Sequence, residues 1–192
     1  MYKTGLFFGS FNPIHVGHLI IANYMATQTD LDQVWLVVSP QNPFKTKKSL
    51  ANDYERLHMA ELAIVDNPKL KTSNIEFKMP KPSYTVDTLA HLRERYPKRE
   101  FVLIMGGDNL ASFHRWKNHL NIINYHQLYV YKRPKHEHPE WDLHPHVKYF
   151  DAPLMEISSS YIRKCIKEGH SIEYLVTAPV RQYISGSNLY QK

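Results

Sequence analysis

Gly9-Ser10-Phe11-Asn12-Pro13-Ile14-His15-Val16-Gly17-His18 is the stretch on which the reading of this chain turns. The apolar run before it, Gly5-Leu6-Phe7-Phe8, reads as the end of a first β-strand, and Leu19 to Ala26 after it reads as a helix. Between them stand a tight Gly/Asn-Pro turn and two histidines three residues apart at the helix N-terminus. A helix start carries N–H groups without intrahelical partners and a partial positive charge, so it favours anions. A glycine at position 9 lets the backbone approach a phosphate, and the imidazoles add donors. Together these residues predict a site for a nucleoside triphosphate, with Gly9, His15 and His18 around its phosphates. Either histidine alone would read as a solvated turn residue. The strand, turn and helix in sequence carry the reading.

Outward from that turn, strand-like and helix-like runs alternate, which predicts a Rossmann-like α/β fold: a doubly wound parallel sheet with helices on both faces. Strands are expected at Thr4–Phe8, Val34–Val38, Leu70–Phe77, Phe101–Met105, Leu128–Tyr131 and Val147–Phe150. The continuous apolar run Phe101–Met105 marks a central strand, and Leu70–Phe77 reads as an edge. Helices are expected at Val16–Gln28, after Asn52-Asp53, at Thr85–Tyr96, at Ser158–Lys167 ahead of Gly169, and around Val180–Ile184. No repeat, low-complexity tract or linker interrupts the series, so residues 1–192 are expected to form a single domain.

Composition narrows the function classes. The chain has 192 residues, a net charge of +6 and a 43% hydrophobic share. No apolar run approaches the roughly 20 residues a bilayer span needs, and no signal peptide or membrane partner is expected. Cys165 is the only cysteine. It excludes an intrachain disulfide, suits a reducing cytoplasm, and reads as a packing residue on a helix. The positive charge suits anionic partners. Lys45, Lys47 and Lys48 form the densest basic cluster, but no nucleic-acid-binding signature accompanies it, so polyphosphate small molecules are expected rather than nucleic acid. A basic nucleotide- or RNA-binding module without turnover stays open at this level. The segment His136–His146 holds four histidines among prolines and acidic residues and reads as a surface loop, and no metal centre is expected.

In an open parallel sheet, ligands bind beyond the carboxyl ends of the strands. Those ends are informative here. Lys45 follows the second strand, Gly106-Gly107-Asp108 follows Met105, and Ile157-Ser158-Ser159-Ser160-Tyr161-Ile162-Arg163 opens a late helix. Serines at a helix start can present hydroxyls and N–H groups to phosphate, and an arginine one turn in can grip it with a planar fork. Gly106 leaves room for a ribose, and Asp108 can accept from its hydroxyls.

The first stretch resembles G-x-F-x-P-x-H-x-G-H, the phosphate-binding signature of the nucleotidyltransferase superfamily, and Ile157–Arg163 resembles its I-S-S-T-x-I-R motif. Ser83-Tyr84-Thr85-Val86-Asp87-Thr88-Leu89 resembles the S-Y-T-x-D-T-L segment of the nicotinate mononucleotide adenylyltransferases. Gly106-x-Asp108-x-Leu110-x-x-Phe113-x-x-Trp116 resembles that family's G-x-D-x-L-x-x-F-x-x-W. The resemblance runs from Leu6 to about Ile184. It departs at Phe8, where a second glycine is usual, and at Phe44, where P-x-H-K reads Pro43-Phe44-Lys45. Arg56 matches a recurring R-x-x-M and reads as an exposed helix charge.

The resemblance implies adenylyl transfer from ATP to nicotinate mononucleotide, giving nicotinate adenine dinucleotide and pyrophosphate in NAD biosynthesis. It implies His15, His18, Lys45 and Arg163 as the catalytic set. It implies Gly9, Ser10, Phe11, His18, Gly106, Asp108, Ile157, Ser158, Ser159 and Arg163 around ATP. Thr85 and Trp116 would take the nicotinate mononucleotide, the indole stacking on the pyridine ring. Mg2+ would arrive with ATP, held mostly by water and phosphate oxygens. Phosphopantetheine adenylyltransferase shares the first and last motifs and is the nearest alternative; the Ser83–Leu89 segment and Trp116 argue against it.

Overall fold

A parallel strand buried on both faces needs apolar residues throughout, and alternate residues must serve opposite layers. The computed structural model, which describes residues 1–40, 50–132 and 139–191, follows that rule. Its described strands are β1 (Tyr2–Gly9), β2 (Gln33–Val38), β3 (Leu70–Ser73), β4 (Arg99–Gly106), β5 (Leu128–Tyr131) and β6 (Val147–Phe150). Every adjacent pair is parallel, in the order β3-β2-β1-β4-β5-β6. This is the doubly wound, Rossmann-like arrangement, and the order reverses between β1 and β4.

The helices are α1 (Val16–Gln28), α2 (Asp53–Ala63), α3 (Thr85–Arg95), α4 (Gly107–Ala111), α5 (His119–Tyr125), α6 (Pro139–Asp142), α7 (Ser159–Lys167) and α8 (Ala178–Ser185). In β2, Val34, Leu36 and Val38 face one layer while Trp35 and Val37 face the other. In β4, Val102 and Ile104 face the first layer and Leu103 and Met105 the second. The first layer takes residues of α1, α2, α7 and α8, including Met25, Met59, Ile162 and Val180, all fully buried. The second takes Leu89 and Leu92 of α3, Leu110 of α4 and Ile122 of α5. Each such side chain contributes about 1.5–3 kcal/mol of burial free energy, so the two layers fix the sheet between them. Cys165 packs in the first layer, 4% exposed.

The strand expected to reach Phe77 stops at Ser73, and Ile75–Lys78 forms a 3-10 turn instead. Glu76 is the reason. It is 2% exposed, and its carboxylate accepts from the Ser83 hydroxyl at 2.9 Å and the Thr88 hydroxyl at 2.8 Å. A buried carboxylate must find donors, and these lie at the entry to α3, off the line of the sheet. In the His136–His146 segment, Pro139–Asp142 forms a helical turn rather than a loop. His146 Nδ1 lies 2.5 Å from the Ile123 carbonyl, and no group of three or more metal-ligating side chains gathers among the described residues.

Candidate active site

The carboxyl ends of β1 and β4 lie side by side at the point where the strand order reverses. Their pairing runs as far as Phe7 and Ile104; beyond it Gly9 pairs with Val38 of β2 and Gly106 with Tyr131 of β5. Ligands of such sheets bind in the crevice outside this point. The chain leaves β1 toward α1 through residues 10–15, and Phe11, Asn12, Ile14 and His15 are all buried. Phe11 holds a φ of 45°, and its ring covers Gly9. A Cβ on Gly9 would lie 2.8 Å from that ring, so local packing already requires glycine there. Phe11 can therefore meet a nucleotide through its backbone, its ring being 1% exposed.

His15 caps α1 from a β conformation and is 6% exposed. Burial alone pushes its imidazole down to about 4, so the ring is neutral at pH 7. Its Nδ1 is buried and meets no hydrogen-bond partner among the described residues. The ring stacks on His18 at 3.6 Å between centroids, with planes 24° apart. A side chain at position 17 would press on His15 Nδ1 at 3.1 Å, which accounts for Gly17. His18 lies half-buried one turn into α1, and its Nδ1 accepts from the His15 N–H at 3.3 Å. In its neutral form that bond leaves the proton on Nε2.

The helix start is less open than the sequence suggested. The Val16 N–H donates to the Leu175 carbonyl at 3.0 Å, and the His18 N–H to the His15 carbonyl at 2.9 Å. Side chains as well as the bare helix end therefore face whatever this turn would bind.

The N-terminus of α7 closes on the same turn. Ser159 Oγ donates to the Pro13 carbonyl at 2.9 Å. Arg163 Nη1 donates to the Asn12 carbonyl at 2.8 Å, and Nη2 to Ser160 Oγ at 3.2 Å. Ser158 Oγ caps the helix, accepting from the Tyr161 N–H at 3.1 Å. Ile157, half-buried, packs against the first layer. Of the groups that the sequence assigned to phosphate, the Ser159 hydroxyl and the Arg163 guanidinium thus hold the turn, while Ser158 caps α7. Gly106 faces Asp108: a Cβ there would lie 2.4 Å from the Asp108 carboxylate and 2.9 Å from the Tyr131 ring. Asp108 itself is exposed in the first turn of α4. Lys45 lies outside the described residues.

Thr85 and Trp116 sit on the second layer. Thr85 is the first residue of α3 and half-buried. Trp116 ends the 3-10 turn Phe113–Arg115, half-buried, with its ring edge-on to Phe113 at 5.5 Å. Lys117 joins the two segments. Its Nζ lies 2.9 Å from Asp87 and 4.6 Å from the centre of the Tyr84 ring. The Ser83–Leu89 segment is therefore pinned on both sides, by Glu76 beneath and Lys117 beside it.

Arg56 was missed by sequence reasoning. Far from exposed, it is fully buried. Its Nη1 donates to the carbonyls of Ser10 and Ser39, the latter at 2.8 Å, and its Nε to Ala51 at 3.1 Å. Its Nη2 reaches Asp53 at 2.7 Å and the Pro40 carbonyl at 3.4 Å. One guanidinium thus ties the exits of β1 and β2 to the start of α2. The only sequence signal was its recurrence as R-x-x-M.

Comparisons with known proteins agree with this geometry. A cytidylyltransferase-like family model matches residues 6–165. A probable nicotinate-nucleotide adenylyltransferase of Cytophaga hutchinsonii is 54% identical over 188 residues, 98% of each chain. One of Flavobacterium johnsoniae is 53% identical over 99% of this chain and 100% of the relative. Among solved structures, the Plasmodium falciparum nicotinic acid mononucleotide adenylyltransferase complexed with NaAD superposes with a TM-score of 0.83, covering 99% of this chain and 98% of that one. At 20% identity, that likeness speaks to the fold. With the family model spanning most of the chain and relatives above 50% identity over nearly its whole length, the chain belongs to the cytidylyltransferase-like family and, within it, to the nicotinate-nucleotide adenylyltransferases.

Proposed function

We infer that the chain is a nucleotidyltransferase that transfers the adenylyl group of ATP to nicotinate mononucleotide, a step of NAD biosynthesis. The observation that carries this reading is the phosphate-binding turn with its stacked histidines at the switch point, in a chain whose relatives bear that activity's name. Nothing in those relatives favours the phosphopantetheine or RNA-binding alternatives.

The chemistry asks little of the protein beyond alignment and charge. The 5′-phosphate of the mononucleotide is already an oxyanion. One of its oxygens forms a bond to the α-phosphorus of ATP as the bond from that phosphorus to the bridging oxygen breaks, and pyrophosphate leaves with the electron pair. No general base is needed. Catalysis is positioning plus stabilisation of charge on the α-phosphoryl and leaving group. His18 is suited to such stabilisation. Its Nδ1 is held as an acceptor, so a neutral ring carries its proton on Nε2, the nitrogen proposed to serve the phosphates. Neutral His15 lies behind it and sets its plane. Arg163, beside the same turn, has a charge to offer the departing pyrophosphate. Lys45 belongs to the same proposed set by sequence.

Mg2+ would supply charge neutralisation on the triphosphate. Among the described residues no three His, Cys, Asp or Glu side chains gather as a cage. The residues around the turn are chiefly donors, which fits an ion held by phosphate oxygens and water rather than by protein ligands. Thr85 and Trp116 would receive the pyridine ring and its carboxylate. Among the described residues, no helix is long and apolar enough to cross a membrane. A cytoplasmic location is proposed on the single, buried Cys165.

The test is pyrophosphate release from ATP with nicotinate mononucleotide, nicotinamide mononucleotide and phosphopantetheine offered in turn. Turnover is expected with the first in clear preference. Preference for phosphopantetheine, or nucleotide binding with no turnover on any acceptor, would overturn the assignment.

A further inference from the structure

The C-terminal tail returns to the nucleotide turn. Beyond α8 the chain folds back so that Leu189 and Tyr190 pack against the first layer. The Tyr190 hydroxyl donates to Asn12 Oδ1 at 2.8 Å, across a separation of 178 residues. Asn12 is 2% exposed and acts as a junction. Its Oδ1 also accepts from the Ala51 N–H at 3.0 Å, just ahead of α2, and its main-chain carbonyl accepts from Arg163 at 2.8 Å. Three elements distant in sequence therefore meet on one residue in the middle of the turn.

We propose that Tyr190 is a positioning residue: its hydroxyl, brought in by the tail, fixes the Asn12 carboxamide and through it the course of the turn that carries the triphosphate. This rests on the nucleotidyltransferase reading of that turn. Two features besides the hydrogen bond point the same way. Tyr190 holds a φ of 64°, a left-handed backbone that a bulky residue keeps only where its contacts impose it. Burial also drives its hydroxyl well above the ordinary tyrosine range, so it remains a donor throughout the neutral region. Without the hydroxyl, Asn12 Oδ1 keeps its bond from the Ala51 N–H but loses the donor that the tail supplies. The turn then gives up one of its buried holds. The acceptor-binding residues, on the opposite face of the sheet, lose nothing.

Tyr190→Phe isolates the hydroxyl, because the ring and its packing stay. ATP binding is read by titration calorimetry in the absence of acceptor. Steady-state KM is read for both substrates, and exchange of the amides of Phe11 to His15 by hydrogen–deuterium mass spectrometry. ATP affinity should fall by about three- to ten-fold, the value of one buried hydrogen bond. KM for the mononucleotide should change less than about two-fold. Exchange in the turn should quicken. Wild-type ATP affinity in the variant, or equal weakening toward both substrates, would overturn the proposal. The calorimetric arm needs no turnover, so a failure of the wild-type protein to use nicotinate mononucleotide would count against the proposed function without touching this test.

Discussion

Replacing Arg56 by methionine should cost this protein about 3–5 kcal/mol, a range typical of breaking a buried, fully partnered charge network. The structure shows why so much rests on one side chain. The guanidinium is fully buried and donates to the carbonyls of Ser10, Ser39 and Ala51, with Asp53 on its other edge. Methionine matches the aliphatic stem but leaves those part-buried carbonyls without the guanidinium donor, at up to about 1–3 kcal/mol each, relieved in part by relaxation or entering water. The Asp53 carboxylate keeps Lys81, whose Nζ lies 3.0 Å away, so its own loss is partial. For a domain of this size the total corresponds to a fall in Tm of about 6–20 °C. Thermal unfolding followed by circular dichroism, with urea titration for the free energy, measures it. Arg56→Lys should recover only part, because a point charge cannot span Ser10, Ser39 and Ala51 together. An exposed helix charge would shift stability by less than about 0.5 kcal/mol in either direction. A Met variant within that margin would refute the hub.

Three further expectations follow from the site. His18→Ala should lower the transfer rate by about 10²–10³-fold with little effect on folding, since it removes a donor aimed at developing charge; a purified variant keeping more than half the wild-type rate would take His18 out of the catalytic set. Trp116→Ala should raise KM for the mononucleotide by about three- to thirty-fold and leave that for ATP nearly unchanged, the loss of one stacking and cation–π contact; a variant impaired toward ATP alone would move the indole to the other half of the site. His15 predicts a pH dependence of stability. Its folded value of about 4 lies below its ordinary 6.5, so the unfolded chain binds the proton more tightly, and stability present above pH 6.5 drains away as pH falls toward 4. The loss is at most about 3 kcal/mol, and His15→Asn should flatten that part of the Tm–pH curve; an unchanged slope would show that the burial of His15 does not set it.

The alternation of strand-like and helix-like runs revealed the sheet, because parallel strands buried on two faces are written as short continuous apolar runs. Phe101–Met105 reads as central and lies at the centre for that reason. The turn between β1 and α1 was legible in its glycines, because Gly9 lies under the Phe11 ring and Gly17 beside His15 with little room for a side chain. What escaped notice were the long-range polar anchors. Glu76 and Arg56 look like ordinary surface charges in their own segments. Only the folded chain shows that the carbonyls of Ser10 and Ser39 converge on Arg56, and that the hydroxyls of Ser83 and Thr88 converge on Glu76. Trp116 stood out by resemblance alone, because a half-buried indole beside Phe113 has no local signature of ligand binding.

A sheet one strand thick is also a partition. The histidine turn, α7 and the tail rest on one apolar layer, while Thr85 and Trp116 rest on the other, and the Lys81–Asp53 ion pair is a bridge at the rim. Changes on opposite sides of such a wall, away from the Lys81–Asp53 bridge, should combine additively, since they touch separate packed layers. On the proposed division of the site, an architecture of this kind is free to exchange what receives the nucleotide while keeping what delivers it. One scaffold can diversify its acceptors without relearning its chemistry.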